Sequence, residues 1–192
     1  MTFNKLKQPI FATATVILFA INTLPAQDNA EILKIRAIYN EINSSIVNCQ
    51  KQVEEPCGLY LNTLEINKGN EPWAAVGIYH SNQDFWYTSS DEEANTYKLR
   101  KINMKTERSA RMEQEEYLFD EAGTLIFYFF QLSGGGKNLQ TYRFYFNEEK
   151  LIDYKEKLEE EELNFRVFAQ EEEAAVLEKA NALKQLFLLS VE

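Results

Sequence analysis

Histidine and cysteine are scarce in this chain of 192 residues, which contains one histidine, His80, and two cysteines. A tetrahedral zinc site draws its ligands mainly from these two residue types, and no Cys-x-x-Cys spacing occurs. The sequence therefore predicts no metal site.

Glycine is also rare, and its one cluster lies in Ser133–Lys137, which reads Ser-Gly-Gly-Gly-Lys. A phosphate-binding loop needs Gly-x-x-x-x-Gly-Lys-Ser/Thr and a helix whose N-terminus faces the phosphate. Here the spacing is shorter, and predicted strands lie on both sides. We interpret the segment as a flexible hairpin connection and expect no bound cofactor.

Long apolar runs are limited to Ile10–Leu24, which is 15 residues long, whereas a membrane-spanning helix needs about 20. This run follows Lys5 and Lys7 and is followed by the small residue Ala26, which is the order of parts in a secretory signal peptide. We predict that residues 1–26 are a signal peptide, with an uncleaved N-terminal anchor as the alternative.

The remaining residues, 27–192, are enough for one domain with its own core. Gln27 follows the predicted cut, where a bacterial lipoprotein would have a cysteine. We therefore expect a periplasmic or secreted protein that is not lipid-tethered and has no stable membrane insertion once the signal is removed.

Basic residues are outnumbered, because 20 lysines and arginines stand against 30 acids, for a net charge of −10. Residues 1–26 contain two lysines and no acid, so their removal changes the net charge to −12. Nucleic acids and anionic membranes repel such a chain, and we expect neither as a partner.

The two cysteines, Cys49 and Cys57, are an even number in a chain with a predicted export signal. That combination favours a disulfide, here one that joins the end of the first helix to the start of the first strand. A thiol catalyst or a metal-binding pair is the alternative.

Helical periodicity appears at both ends of the mature chain. Apolar residues at steps of three and four predict a helix from Asp28 to about Asn48, with the stripe Ile32, Ile35, Tyr39, Ile42 and Ile46. A closing helix is predicted with Glu171–Glu173 in its first turn. Its apolar face consists of Val176, Leu177, Ala180, Leu183, Phe187 and Leu188.

Between the helices the period changes to two, and aromatic and β-branched residues dominate. The predicted strands are Leu59–Ile66, Pro72–His80, Phe85–Ser89, Tyr97–Thr106, Arg111–Phe119, Leu125–Leu132, Leu139–Phe146 and Leu151–Lys157. Short polar connections indicate antiparallel neighbours. We predict an α+β fold with an N-terminal helix, an antiparallel β-meander of about seven to nine strands curled on it, and a C-terminal helix that covers an edge or a face.

The polar stretch Ser81–Asp84 is predicted to be a turn, which places His80 at a strand end with Asp84 across the turn. General acid–base catalysis needs a partner within hydrogen-bond reach, but exposed turn histidines are common, and we assign no catalytic residue. The run Glu159–Glu162 lacks the spacing and the glycine of a calcium loop and is interpreted as a solvated face after the last strand.

Aromatic residues are abundant, with 13 Phe, 10 Tyr and 2 Trp. Phe127–Phe130 places two rings on each face of one strand, and Phe85–Tyr87 repeats this two-sided pattern. Since a sheet with one wet face alternates cleanly, either both faces are covered or one face binds a ligand. The candidate binding surface consists of Trp73, Trp86, Tyr128, Phe130 and Tyr145.

A hairpin pattern recurs: Tyr117–Leu125 contains an aromatic strand end, an Asp turn, Gly123 and an apolar return, and looser copies start at Phe144 and Ile78. With Ile35–Tyr39 and Lys98–Ile102, this pattern resembles a broad group of uncharacterised secreted bacterial proteins, and MORN-type and YD-type repeats. The resemblance implies a helix followed by a meander and a binding or structural role, and it brings no catalytic residues.

The sequence leaves three functions open. We favour an exported, non-enzymatic module that binds a partner protein or an apolar or glycan ligand through an aromatic sheet face. The alternative is an envelope hydrolase whose carboxylate pair lies about 5–9 Å apart. A third is an inhibitor-like or assembly protein whose acidic surface meets a basic partner.

Overall fold

A computed structural model describes residues 25–51, 57–75, 77–90, 96–135, 137–158, 161–163 and 166–191. Residues 1–24, which make up nearly all of the predicted signal peptide, lie outside the described residues. The described residues form the following elements: α1 (Pro25–Gln50), β1 (Tyr60–Ile66), β2 (Pro72–Trp73), β3 (Gly77–Ser90), β4 (Thr96–Arg108), β5 (Arg111–Phe119), β6 (Leu125–Gly134), β7 (Lys137–Asn147), β8 (Lys150–Leu158), β9 (Glu161–Leu163) and α2 (Arg166–Val191).

The strands form one antiparallel sheet in the order β1-β3-β4-β5-β6-β7-β8-β9, with the short β2 paired to β3. From β3 onward each strand pairs with the next one along the chain, because their connections are short. The sheet is open. The predicted α+β meander between two helices is confirmed, and the segment Ser133–Lys137 joins two antiparallel strands as predicted.

The two helices cover opposite faces of this sheet. Side chains alternate along each strand, so in β6 Phe127 belongs to the core under α1 while the next residue, Tyr128, belongs to the core under α2. The two-sided aromatic pattern therefore reflects two cores. Both predicted helix stripes are confirmed: α1 buries Ile35, Ile42 and Ile46, and α2 buries Val176, Ala180, Leu183 and Phe187.

The predicted turn at Ser81–Asp84 is wrong, because these residues continue β3. Polar side chains suit a strand here since partners across the sheet satisfy them: buried Ser81 shares a hydrogen bond with Thr106 Oγ1 (3.0 Å), and Asp84 accepts one from Thr63 Oγ1 (2.9 Å). The looser hairpin copy that starts at Ile78 is wrong for the same reason.

The C-terminal segment also differs from its prediction. Helix α2 begins at Arg166, so Glu171–Glu173 lie beyond its first turn. The glutamate run is not only a solvated tail, because Glu161 and Glu162 form part of β9, which pairs with β8. Glu159 and Glu160 lie outside the described residues.

The predicted disulfide between Cys49 and Cys57 is confirmed. It links the last turn of α1 to the segment that leads into β1. A disulfide is compatible with an oxidising compartment, and it holds one end of α1 near the edge of the sheet.

Candidate ligand-binding site

The five aromatic residues of the predicted binding surface do not share one surface. Trp86 and Tyr145 lie on the α1 face and are each 3% exposed. Tyr128 and Phe130 lie on the α2 face, where Tyr128 is 8% exposed and Phe130 is half-buried. Trp73 is exposed at the far end of the sheet. The prediction of a single surface is therefore wrong, because the five residues are divided between the two faces and one end of the sheet.

Trp73 forms a small stack of its own in β2. Its ring centroid lies 4.6 Å from that of Tyr79, and the Arg108 guanidinium lies 5.2 Å from the centroid of the Tyr79 ring. This stack braces the short β2 against the neighbouring strand.

Three rows of side chains cross the α1 face side by side. The row beneath α1 is apolar apart from one lysine, the middle row combines one ring with charged side chains and an asparagine, and the outer row is polar. In register order the rows are Trp86, Lys101, Leu118, Phe127, Tyr145; then Asp84, Asn103, Glu116, Phe129, Arg143, Lys155; then Asn82, Lys105, Gln114, Gln131, Thr141, Lys157.

A cavity of about 420 Å³ opens between these rows and α1, which we call the arginine cavity. Its size lies within the range of sites for small organic ligands. It is lined by Ile35, Arg36, Tyr39, Gln114, Glu116, Phe127, Phe129, Gln131, Arg143 and Tyr145.

Two guanidinium groups face the arginine cavity, one from the helix and one from the sheet. Arg36 lies 5.6 Å from the centroid of the Tyr145 ring, and Arg143 lies 5.4 Å from that of Phe129. Among the residues that the structure describes, neither arginine has a carboxylate partner. In a chain with a net charge of −10, two unpaired cations at one cavity are a local reversal of charge.

The one carboxylate among the described lining residues, Glu116, is already engaged. It accepts hydrogen bonds from Lys101 Nζ (2.7 Å) and Tyr39 Oη (2.8 Å). Lys101 is 2% exposed, donates to Asn43 Oδ1 (2.6 Å) and lies 4.6 Å from the centroid of the Tyr39 ring. These contacts neutralise Glu116 and join α1 to the sheet.

Burial also shifts the protonation of this cluster. It raises the pKa of Tyr39 to about 12, with the Glu116 carboxylate adding to the effect. It lowers the pKa of Lys101, and Glu116 opposes that change. At neutral pH Tyr39 is therefore a protonated phenol that donates its hydrogen bond to Glu116.

Hydrogen-bonding groups without partners accompany the arginines. Gln114 and Gln131 stand opposite each other in the outer row, and Thr141 stands opposite Gln131 on the next strand. The buried hydroxyl of Thr141 and the buried Oδ1 of Asn103, which stands opposite Glu116, have no hydrogen-bond partner within the described part of the chain. Of these residues only Gln114 and Gln131 line the cavity, and their side-chain amides give its outer side donors and acceptors for a polar ligand.

A second cavity, of about 230 Å³, lies on the opposite face beneath α2, and we call it the tyrosine cavity. It is lined by Tyr128, Phe130, Tyr142, Phe144, Glu172 and Val176. Two of the five predicted surface residues thus line this cavity and one, Tyr145, lines the other.

Glu115 lies at the centre of the α2 face and is 4% exposed. It accepts hydrogen bonds from Tyr117 Oη (2.6 Å), Tyr128 Oη (3.1 Å) and Lys179 Nζ (2.7 and 2.8 Å). The pKa values of both tyrosines are raised, mainly by burial and then by Glu115. This cluster fastens α2 to the sheet.

The structure separates the residues considered for catalysis. His80 is 3.2 Å from Glu65, whereas Asp84 accepts hydrogen bonds from Thr63 and Asn82. Each cavity has one carboxylate among its described lining residues, so neither shows the pair that the hydrolase alternative needs. No cluster of three metal-ligating side chains occurs within the described ranges.

Sequence reasoning missed the two cavity arginines as site residues. Arg36 lies in the resemblance segment Ile35–Tyr39, and Arg143 alternates with Tyr142 and Phe144 in β7. The sequence did contain a signal, since Arg143 lies between two aromatic residues, and alternation along a strand puts it on the opposite face of the sheet from them. Only the register places Arg143 beside α1.

Neither helix, over the residues that the structure describes, has the length and apolar character to cross a membrane.

No family model, no curated protein and no solved structure matches this chain.

Proposed function

We propose that the protein is an exported, non-enzymatic binding module that holds a carboxylated sugar or a short acidic glycan in the arginine cavity. The observation that carries the proposal is the pair of guanidinium groups, Arg36 and Arg143, that face one cavity without a carboxylate partner among the described residues. Such groups bind carboxylates with charge-assisted hydrogen bonds.

The rest of the cavity fits the other parts of such a ligand. The side-chain amides of Gln114 and Gln131 suit sugar hydroxyls, and the rings of Phe127 and Phe129 provide an apolar floor. Lys101 forms an ion pair with Glu116 and Tyr39 donates a hydrogen bond to it, so Glu116 does not repel an acid strongly. The predicted signal peptide, which stays a prediction, and the disulfide support action in the periplasm or outside the cell.

Isothermal titration with digalacturonate, and with cellobiose as the neutral disaccharide, tests the proposal. Digalacturonate is expected to bind and cellobiose to bind at least tenfold more weakly, since a hydrogen bond to a charged group contributes about 1.5–3 kcal/mol. Arg143→Gln and Arg36→Gln are each expected to weaken digalacturonate binding about tenfold or more.

Lys34→Gln is the matched control, because Lys34 is also on α1, is exposed, loses the same charge and forms an ion pair with Glu31 away from the cavity lining. Its binding is expected to equal that of the unmodified protein. Equal affinity for the two disaccharides, or equal loss in Lys34→Gln, would contradict the proposal. Melting temperatures check that the arginine variants remain folded.

A further inference from the structure

The tyrosine cavity differs from the arginine cavity in the charges that accompany its rings. Its lining includes four aromatic rings, from Tyr128, Phe130, Tyr142 and Phe144, and one carboxylate, Glu172. The rings meet in pairs across β6 and β7, with centroid separations of 5.6 Å for Tyr128 and Phe144 and 5.8 Å for Phe130 and Tyr142.

No protein cation occupies these rings within the described part of the chain. The cation–π contacts found there involve the rings of Tyr39, Tyr79, Phe129 and Tyr145, which lie on the α1 face or at the tip of the sheet. On α2, Lys179 binds both oxygens of Glu115. The negative faces of the cavity's rings therefore have no cation of their own.

Carboxylates surround the same rings. Glu172 lines the cavity and is exposed, so it stands at the mouth. Glu156 accepts hydrogen bonds from Tyr154 Oη (3.2 Å) and Gln140 Nε2 (3.1 Å) beside Tyr142. Burial raises the pKa of Tyr142 to about 12, with Glu156 and Glu172 adding to it, so its phenol stays neutral at neutral pH.

We propose that the tyrosine cavity is a second ligand site, which binds a small organic ammonium group against its aromatic rings, with Glu172 as the counter-ion. The cavity volume of about 230 Å³ suits a trimethylammonium headgroup more than a large ligand. Aromatic rings with a nearby carboxylate are the usual chemistry for such cations. This site is on the opposite side of the sheet from the arginine cavity and does not depend on it.

The test uses choline as the probe and 3,3-dimethyl-1-butanol as its neutral isostere, at constant ionic strength, with binding followed by amide chemical shifts. Choline is expected to bind saturably and to shift the amides of Phe130, Tyr142 and Glu172. The neutral isostere is expected to bind at least tenfold more weakly, because it keeps the shape and loses the charge.

Two variants separate the contributions. Glu172→Gln is expected to weaken choline binding several-fold, and Phe130→Leu, which removes a half-buried ring, about tenfold. Glu178→Gln is the matched control, since Glu178 is exposed on the same helix and does not line the cavity. Melting curves check that Phe130→Leu is folded. If this variant does not fold, choline binding by Glu172→Gln alone tests the proposal.

Equal binding of choline and its isostere would show an apolar cavity without cation selectivity and would overturn the proposal. Absence of saturable choline binding, or an equal effect of Glu172→Gln and Glu178→Gln, would also overturn it. None of these outcomes bears on digalacturonate binding at the other face, so the two proposals fail separately.

Discussion

Glu115 and Glu116 are neighbours in β5, yet they fasten the two helices in opposite ways. On the α2 face the buried ion is the acid, because the side chain of Glu115 is 5% exposed and the side chain of its partner Lys179 is 45% exposed. On the α1 face the buried ion is the base, since Lys101 is 2% exposed and Glu116 is 25% exposed. One strand thus separates a face with a buried anion from a face with a buried cation.

This difference extends to the cavities beside each cluster. The arginine cavity places cations on its rings, and the tyrosine cavity places carboxylates beside rings that have no protein cation among the described residues. Charge sign, more than aromatic content, distinguishes the two faces, and it predicts which kind of ligand each one accepts.

Glu116→Gln is expected to have the largest effect on stability. It leaves Lys101 buried without its carboxylate, and breaking a buried pair in this way costs about 3–5 kcal/mol. Burial disfavours the charged form of Lys101 and lowers its pKa, so the penalty is largest where the lysine is protonated in both the folded and the unfolded state. It shrinks as the pH rises through the lowered pKa toward the ordinary value of 10.5, where the lysine loses its proton.

Urea unfolding of this variant at pH 7 and at pH 10 measures the change. A loss below about 1 kcal/mol at pH 7, or a loss that grows toward pH 10, would contradict the account of Lys101 as a buried ion.

The second-largest effect is expected at alkaline pH, where two buried tyrosines on the α2 face lower the free energy of unfolding. Tyr117 and Tyr128 are 0% and 8% exposed, and burial raises the pKa of each. Above pH 10 these phenols stay protonated in the folded state and ionise in the unfolded state. Their contribution is therefore complete below pH 10 and falls by about 1.4 kcal/mol per pH unit for each tyrosine above it.

Denaturant midpoints measured from pH 9 to pH 11.5 give this slope. Tyr128→Phe should reduce the slope by about one proton, and Tyr60→Phe, at an exposed position, should leave it unchanged. Equal slopes in all three proteins would show that Tyr128 does not contribute.

The disulfide is a further difference between the two faces. It ties the end of α1 covalently to the segment before β1, and no disulfide ties α2 within the described ranges. The Cys49→Ser and Cys57→Ser double variant is expected to lose about 2–3 kcal/mol of unfolding free energy, as the chain-entropy estimate gives for a nine-residue loop. Amide shifts near Cys49 should change while those of the tyrosine cavity stay. Equal amide shift changes near Cys49 and in the tyrosine cavity would contradict the expectation that the disulfide acts only on the α1 face.

Lys179→Met is expected to have the smallest effect. It removes the exposed partner of Glu115, which keeps the hydroxyls of Tyr117 and Tyr128, so the loss at pH 7 is about 1–2 kcal/mol. Urea unfolding at pH 7 measures the loss, and a loss as large as the one expected for Glu116→Gln would contradict the comparison.

Periodicity was enough to predict both helix stripes and most strands, because burial of one face leaves a plain pattern in the sequence. It failed at Ser81–Asp84, where polar residues look like a turn but find partners on the adjacent strands. Periodicity also could not show on which face of the sheet a given aromatic residue lies. The side of the sheet on which Tyr128 or Tyr145 lies depends on register and bulges, which local pattern does not encode.

The candidate site was harder to predict than the fold for the same reason. Arg36 and Arg143 are far apart in the chain and match no motif, and they meet because α1 lies across β7. Two-sided aromatic strands indicated rings on both faces, but the charges that distinguish those faces come from residues outside the aromatic runs.

A single amide chemical-shift experiment tests whether the two faces of the sheet bind ligands of opposite charge. Digalacturonate and choline are added in turn to the same sample. We expect digalacturonate to shift the amides of residues around Arg36 and Arg143 and choline to shift those of residues around Phe130 and Glu172, with little overlap. Overlapping patterns, or exchanged faces, would contradict this expectation.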